Sequence, residues 1–184
     1  MTSSSESSMV LGDIAAAAAI GLSSEHRDLV VERAAQVLRP AGAFARLDAV
    51  AAWLAGWQRT DKPTVDQPGV IIFGGDHGVT RRGVSAYPAD VTAAMVEAIE
   101  AGVATSTALA RSTGATLDFV DVGVGRPTAD LADCDAMTEQ RFIEAWGAGA
   151  LAVSRRKADV LVLGDLGIGN STAAAAVACG VLGG

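Results

Sequence analysis

Three glycine-bearing segments hold the side chains best suited to chemistry in this 184-residue chain. In Gly74-Gly75-Asp76-His77-Gly78 a carboxylate stands beside one of only two histidines, a pairing suited to general acid–base work. The other reading of His77 is a structural hydrogen-bonder at a strand end, and residue type alone leaves both open. Gly123-Val124-Gly125-Arg126-Pro127 offers a tight turn and one guanidinium. The third segment, Gly164-Asp165-Leu166-Gly167-Ile168-Gly169-Asn170-Ser171-Thr172, is the most informative. Its glycines permit close backbone approach to a ligand. Asn170, Ser171 and Thr172 stand ahead of an alanine-rich helical stretch, where free N–H groups and the helix dipole favour an anion such as phosphate. Asn170 is the only asparagine in the chain. The alternative is a loop that closes an αβ corner, with Ser171 as a plain N-cap. No lysine precedes the Ser-Thr pair, so this is not a Walker A loop, and the glycine spacing does not fit GxGxxG. A GxSxG nucleophile elbow is also missing. Ser85-Ala86-Tyr87-Pro88, with the only tyrosine, reads as a turn before a helix that starts near Ala89.

The elements that must position these groups follow from periodicity. Val70-Ile71-Ile72-Phe73, Leu117-Asp118-Phe119-Val120-Asp121-Val122 and Val160-Leu161-Val162-Leu163 are short apolar runs, consistent with strands buried on both faces. Helical stretches over 89–101, 103–113 and 138–153 separate them, which predicts βαβ units with a parallel sheet. In such sheets ligands bind beyond the carboxyl ends of the strands, where all three glycine segments fall. Upstream, Asp13 can cap a short Ala-rich helix, and Ser23 or Ser24 a second one through Leu38. That second helix sets Leu29, Val30, Ala34, Val37 and Leu38 at helical spacing. A third, over 43–58, puts Leu47, Val50, Ala51, Leu54 and Trp57 on one face. Residues 60–69, with Pro63 and Pro68, read as a linker. The expected organisation is a disordered Ser-rich tail over 1–12, a helical portion over 13–60 and an α/β domain over 61–184. The fold class is three-layer α/β with a parallel Rossmann-like sheet.

Composition narrows the function. Half the residues are hydrophobic, 4% are aromatic and 37 are alanine, which suits helices packed on a buried sheet. Fourteen basic against 21 acidic residues give a net charge of −7, and no basic stripe stands out, so nucleic acid is not an expected partner. Arg81-Arg82 and Arg155-Arg156-Lys157 read as solvated turn faces. Cys134 and Cys179 lie far apart without metal-ligand spacing, so the expectation is no metal, no disulfide and a reducing cytoplasm. The N-terminal residues carry no positive n-region, and the ten-residue apolar stretch 13–22 is well short of the ~20 needed to span a bilayer, so no membrane association is expected.

Taken together, the glycine segments resemble a known family. Gly75-Asp76-His77-Gly78-Val79, Gly83-Val84-Ser85-Ala86-Tyr87-Pro88, Val91-Thr92 and Met95-Val96 are similar to nicotinate-nucleotide–dimethylbenzimidazole phosphoribosyltransferases. So is Gly167-Ile168-Gly169-Asn170-Ser171-Thr172, close to that family's Gly-Ile-Gly-Asn-Thr-Thr. Weaker matches are Arg39-Pro40-Ala41-Gly42 with Arg46-Leu47, Asp121-Val122-Gly123 and Met137-Thr138-Glu139-Gln140. The likeness is colinear from about residue 33 onward. It implies transfer of the phosphoribosyl group of nicotinate mononucleotide to 5,6-dimethylbenzimidazole, giving α-ribazole phosphate for the lower ligand of cobalamin. No cofactor is implied. The resemblance places Asp76, His77, Ser85, Tyr87, Pro88 and Asp165 at the substrates, and Gly167, Gly169, Asn170, Ser171 and Thr172 at the phosphate.

The departures carry their own expectations. Ala89 stands where the family commonly has Gln, and Asp165-Leu166 where it has Glu-Met; Asp is one methylene shorter, which withdraws the carboxylate. Family members run to roughly twice this length, and their proposed catalytic base, a glutamate near the C-terminus, has no counterpart here. No catalytic residue is therefore assigned. The uncharged, largely apolar stretch 171–184 predicts a helix that needs burial. The chain is accordingly expected to be a truncated half, a split subunit that forms a homodimer or pairs with the missing C-terminal half, a decayed pseudoenzyme, or a non-catalytic module that binds a nucleotide or aromatic base.

Overall fold

The computed structural model describes residues 20–183, so the Ser-rich stretch and the Asp13-capped helix lie outside the described residues. The chain divides into two compact units, Met1–Asp66 and Gln67–Gly184.

In the first unit, helices α1 (Ser24–Gln36) and α2 (Ala45–Gln58) pack together. Of the two serines, Ser23 is the cap: its backbone is extended and its hydroxyl accepts from the His26 N–H. The contact runs over Val30, Ala52 and Ala55, with Ala51 half-buried beside them. This corrects the expected faces. Leu54 is buried, but Leu29, Val37, Leu38, Leu47, Val50 and Trp57 are exposed. Small side chains explain the difference. A Cβ on Gly56 would lie 2.8 Å from Leu22 Cδ2, so the segment entering α1 crosses α2 over a glycine rather than a leucine face.

The second unit is ordered β1 (Pro68–Gly75), a 3₁₀ segment (Gly78–Arg82), α3 (Val91–Glu100), α4 (Thr105–Thr113), β2 (Thr116–Gly123), α5 (Glu139–Ser154), β3 (Val160–Leu166) and α6 (Asn170–Leu182). The three strands form a parallel sheet in the order β2-β1-β3. On one face Ile72, Ile99 and Ala104 pack with Val70, Leu117 and Phe119, bringing α3 and its connection to α4 onto the sheet. On the other face are Ile71, completely buried, and Phe73, whose ring approaches Gly149 of α5. The two crossovers thus cover opposite faces, which gives three layers. Adjacent strands β1 and β3 form the topological switch point, the place where open α/β sheets receive ligands.

Three sequence expectations change. Pro68 and Gly69, expected in the linker, begin β1, where a proline is tolerated as the first strand residue. Gly74, Gly75, Gly164, Asp165 and Leu166, expected in loops, extend the strands, because register with β1 continues past the apolar runs. Finally, β3 lies at an edge, with Val162 54% and Leu163 60% exposed; of the three strands, β1 is the central one, paired on both sides. The stretch Val91–Thr113 is long and apolar enough to cross a bilayer as one helix. It is instead broken at Gly102 (φ 73°) into helices of 10 and 9 residues, each far short of a span.

Candidate functional site

At the switch point, the carboxyl ends of β1 and β3 and the opening turns of α5 and α6 border a cavity of about 560 Å³. Phe73, Val122, Met137, Leu166, Ala173 and Val177 give it apolar walls, while Asp76, His77, Asp165, Asn170 and Arg141 bring polar groups to it. Apolar walls with a few convergent polar groups suit a small organic ligand.

Asp76 ties the end of β1 to the loop after β2. Its N–H donates to Gly123 O (3.2 Å), its carbonyl accepts from Thr128 N (3.0 Å), and its Oδ2 accepts from Gly125 N (2.8 Å). Two residues on, Gly78 N donates to Thr128 Oγ1 (3.1 Å). A Cβ on Gly78 would lie 2.3 Å from Thr128 O, so only glycine fits this seam. Arg141, on the first turn of α5, donates to the carbonyls of Arg126 and Pro127 and holds the same loop from its far side. The 3₁₀ segment is braced separately. Arg82 Nε donates to Asp130 Oδ2 (2.7 Å), and a second guanidinium nitrogen pairs with Asp133. The Ala132 N–H, and then Arg82, hold the Asp130 carboxyl below the usual carboxylate range. Arg82 is thus an ion-paired brace rather than the solvated face its sequence context suggests.

Burial pushes the His77 imidazole below its usual value near 6.5, with the charges of Asp76 and then Asp165 opposing the shift. His77 is therefore a neutral imidazole at neutral pH. Because its folded pKa is depressed, the unfolded chain takes up the proton first as pH falls. Stability should then decline from about pH 6.5 downward until His77 also titrates in the folded state. In His77→Gln, urea midpoints measured between about pH 7 and 5 should fall less steeply than in the parent chain. Equal slopes would remove His77 as the cause.

The 167–172 loop turns into α6 through Gly169, whose φ of 87° favours glycine. Its helix-opening N–H groups are not free, which corrects the expectation drawn from sequence. Asn170 N donates to Gly167 O (3.1 Å), Thr172 N to Gly169 O (3.1 Å) and Ala173 N to Gly169 O (3.2 Å). Ser171 N donates to Asn170 Oδ1 (2.7 Å), and the Asn170 amide nitrogen donates to Asp165. Nor is Ser171 the N-cap, since the helix begins at Asn170. Asn170 Oδ1 therefore already fills the acceptor position at Ser171 N.

The cavity brings together Asp76, His77, Asp165 and Asn170. Gly167 and Gly169 pack behind it against Gly75, His77 and Thr80, and Ser171 and Thr172 follow on the first turn of α6. Ser85, Tyr87 and Pro88 are not among its lining residues. They form the turn before α3, in which Tyr87 N donates to Ser85 Oγ (3.1 Å), and Tyr87 is 67% exposed. Two residues escape sequence reasoning about the site. Arg141 is an unremarkable helical arginine in the sequence. Thr92 was visible only within a two-residue family match, yet its buried hydroxyl accepts from Ile168 N (3.1 Å). Among the described residues no group of three or more His, Cys, Asp or Glu side chains could hold a metal, and Cys134 and Cys179 are free thiols.

Comparison with known proteins sets this geometry in a family. A phosphoribosyltransferase family model matches residues 21–184. The nicotinate-nucleotide–dimethylbenzimidazole phosphoribosyltransferase of Ruegeria pomeroyi is 45% identical over 153 residues, covering 83% of this chain and 45% of the relative. Its namesake from Roseobacter denitrificans is 43% identical over 161 residues, covering 88% and 48%. The crystal structure of the corresponding Thermus thermophilus enzyme superposes with a TM-score of 0.80 at 34% identity, covering 88% of this chain and 55% of that one. The chain spans about half the length of the curated relatives it matches. It belongs to the nicotinate-nucleotide–dimethylbenzimidazole phosphoribosyltransferase family.

Proposed function

We propose that this chain supplies the substrate-binding half of a phosphoribosyl transfer from nicotinate mononucleotide to 5,6-dimethylbenzimidazole. In that reaction the bond from the ribose anomeric carbon to the nicotinate nitrogen breaks. A bond from the same carbon to a benzimidazole nitrogen forms, and the benzimidazole N–H proton passes to a base. Charge builds up on the sugar as the carbon becomes oxocarbenium-like, so a carboxylate nearby is useful and a fixed phosphate supplies remote binding energy for positioning. One observation carries the reading: a cavity at the switch point whose apolar walls offer room for a ring, with Asp165 and Asn170, where the 167–172 loop opens α6, among its lining residues. The phosphate is assigned to Ser171 N and the hydroxyls of Ser171 and Thr172, with Asn170 Oδ1 moving aside. Asp76 and the neutral His77 imidazole border the ring. The proton acceptor is assigned to the half of the relatives that this chain does not span. Ser85, Tyr87 and Pro88 carry no part of the proposal.

The test has a binding arm and a turnover arm. Nicotinate mononucleotide at about a hundredfold over Kd should raise the thermal midpoint by about 5–10 °C. Ser171→Ala combined with Thr172→Val, which removes both hydroxyls assigned to the phosphate, should remove most of that rise, and no rise in the parent chain would end the binding claim. Formation of α-ribazole phosphate is expected only when a chain spanning the remaining half of a relative is added. Robust turnover by this chain alone would overturn the assignment of the proton acceptor.

A second reading, a non-catalytic module that binds the nucleotide or base within an assembly, rests on a different observation. Val162 and Leu163 on β3, and Val177, Val181 and Leu182 on α6, are exposed apolar side chains. A second copy of the chain or a chain supplying the other half would cover them. In the binding arm it predicts the same thermal shift, and in the turnover arm no product under either condition.

A further inference from the structure

We infer that Thr92 is a positioning residue for the 167–172 loop, fixing it from the first turn of α3. Thr92 and Ile71 are the largest fully buried side chains among the described residues, and Thr92 is the polar one. A hydroxyl in that setting is costly unless it has a partner. Its partner is the Ile168 N–H, 76 positions along the chain, at 3.1 Å.

The loop's other amides show why this bond matters. Those of Asn170, Ser171, Thr172 and Ala173 are all answered from within 167–170. Such local bonds shape the turn but do not place it on the sheet. Beyond the Asn170 amide on Asp165 of β3, placement comes from three external anchors on neighbouring residues. Gly167 lies so close to Gly75 that a Cβ would sit 2.1 Å from its carbonyl oxygen. Gly169 packs against Thr80 and His77. Ile168, between them, is held by Thr92 through the only one of the three contacts that is a hydrogen bond. Without it, a part-buried N–H loses its acceptor, and besides packing the loop keeps only the Asn170 amide on Asp165 of β3 as a side-chain tie to the sheet.

Thr92 also faces the other way along the chain. Val91 N donates to Pro88 O (3.2 Å) and Thr92 N to Ala89 O (3.1 Å), so the residue stands where the 85–88 turn enters α3. A displacement of that turn therefore reaches the glycine loop through one side chain.

The loop claim is tested without ligand, by amide hydrogen exchange, so that it stands apart from the functional reading on which its ligand-binding consequence rests. Thr92→Val keeps the shape and removes the acceptor, and Thr92→Ala is a second hydroxyl-free variant. Both should speed exchange across 167–172 by about tenfold more than across strand residues 70–73, and Thr92→Ser should restore the parent pattern. Ile99→Ala, a core truncation on the same helix, should change both segments together. If the hydroxyl-free variants behave like Ile99→Ala, Thr92 is merely structural and the inference is overturned. Nicotinate mononucleotide affinity should fall by about tenfold in Thr92→Val and by less than about twofold in Thr92→Ser. If the parent chain does not bind the nucleotide, the functional reading fails, while the exchange comparison still decides the role of Thr92.

Discussion

Gly167→Ala should destabilise the second unit by about 3 kcal/mol and abolish any thermal shift caused by nicotinate mononucleotide. The added Cβ would lie 2.1 Å from Gly75 O and 3.3 Å from the carbonyl carbon behind it. That obstacle is backbone, in the central strand, and cannot rotate away as a side chain would. A Cβ on Gly74 meets the Phe119 ring at a similarly short distance, but that neighbour is the far end of a side chain rather than backbone. Relief at position 167 requires the end of β3 to move off the end of β1, which opens the cavity and carries Asp165 with it. Urea unfolding read by circular dichroism would measure the loss. Gly180→Ala makes the control: no atom lies within 4 Å of where its methyl group would sit in α6, and helix propensity predicts a gain of about 0.5–1 kcal/mol. Equal midpoints for Gly167→Ala and the parent would refute the close approach of the two strand ends.

Ile71→Ala should cost about 2–5 kcal/mol, the range for emptying a large aliphatic site that cannot collapse. Ile71 is completely buried and paired on both sides, with Asp118 on β2 and Leu163 on β3. The same truncation at Val162, more than half exposed on the edge strand, should cost less than about 1 kcal/mol. Comparable losses at the two positions would contradict the order β2-β1-β3.

Much of this architecture was legible in the residues. The three apolar runs located the strands, and the stretches between them located the helices to within a few positions. Ser23, one of the two serines expected to cap α1, was readable because a short hydroxyl side chain answers a helix-opening N–H, and Thr138, expected as the first residue of α5, caps it in the same way. Strand ends were not readable, because Gly74, Gly75 and Gly164 join the sheet through register with their neighbours rather than through any apolar signal. The contact face of the α1–α2 pair was misread because periodicity weights large residues, whereas the helices meet over Ala52, Ala55 and Gly56. At the candidate site, Asp76, His77 and Asn170, singled out by type and position, and Asp165, singled out by the family resemblance, line one cavity. Their supports were not readable, because Arg141 and Thr92 act through single backbone groups far away in sequence.

The edge position of β3 has a practical consequence for handling the protein. Its outer row of amides and carbonyls, flanked by Val162 and Leu163 and followed by the apolar α6, is a template onto which another chain's strand can add. Turbidity should therefore rise with concentration well before unfolding begins, and faster at higher ionic strength, where the self-repulsion of a net charge of −7 is screened. A lysine in place of Val162 puts a charge on that edge, and it is the single substitution that should extend the soluble range most.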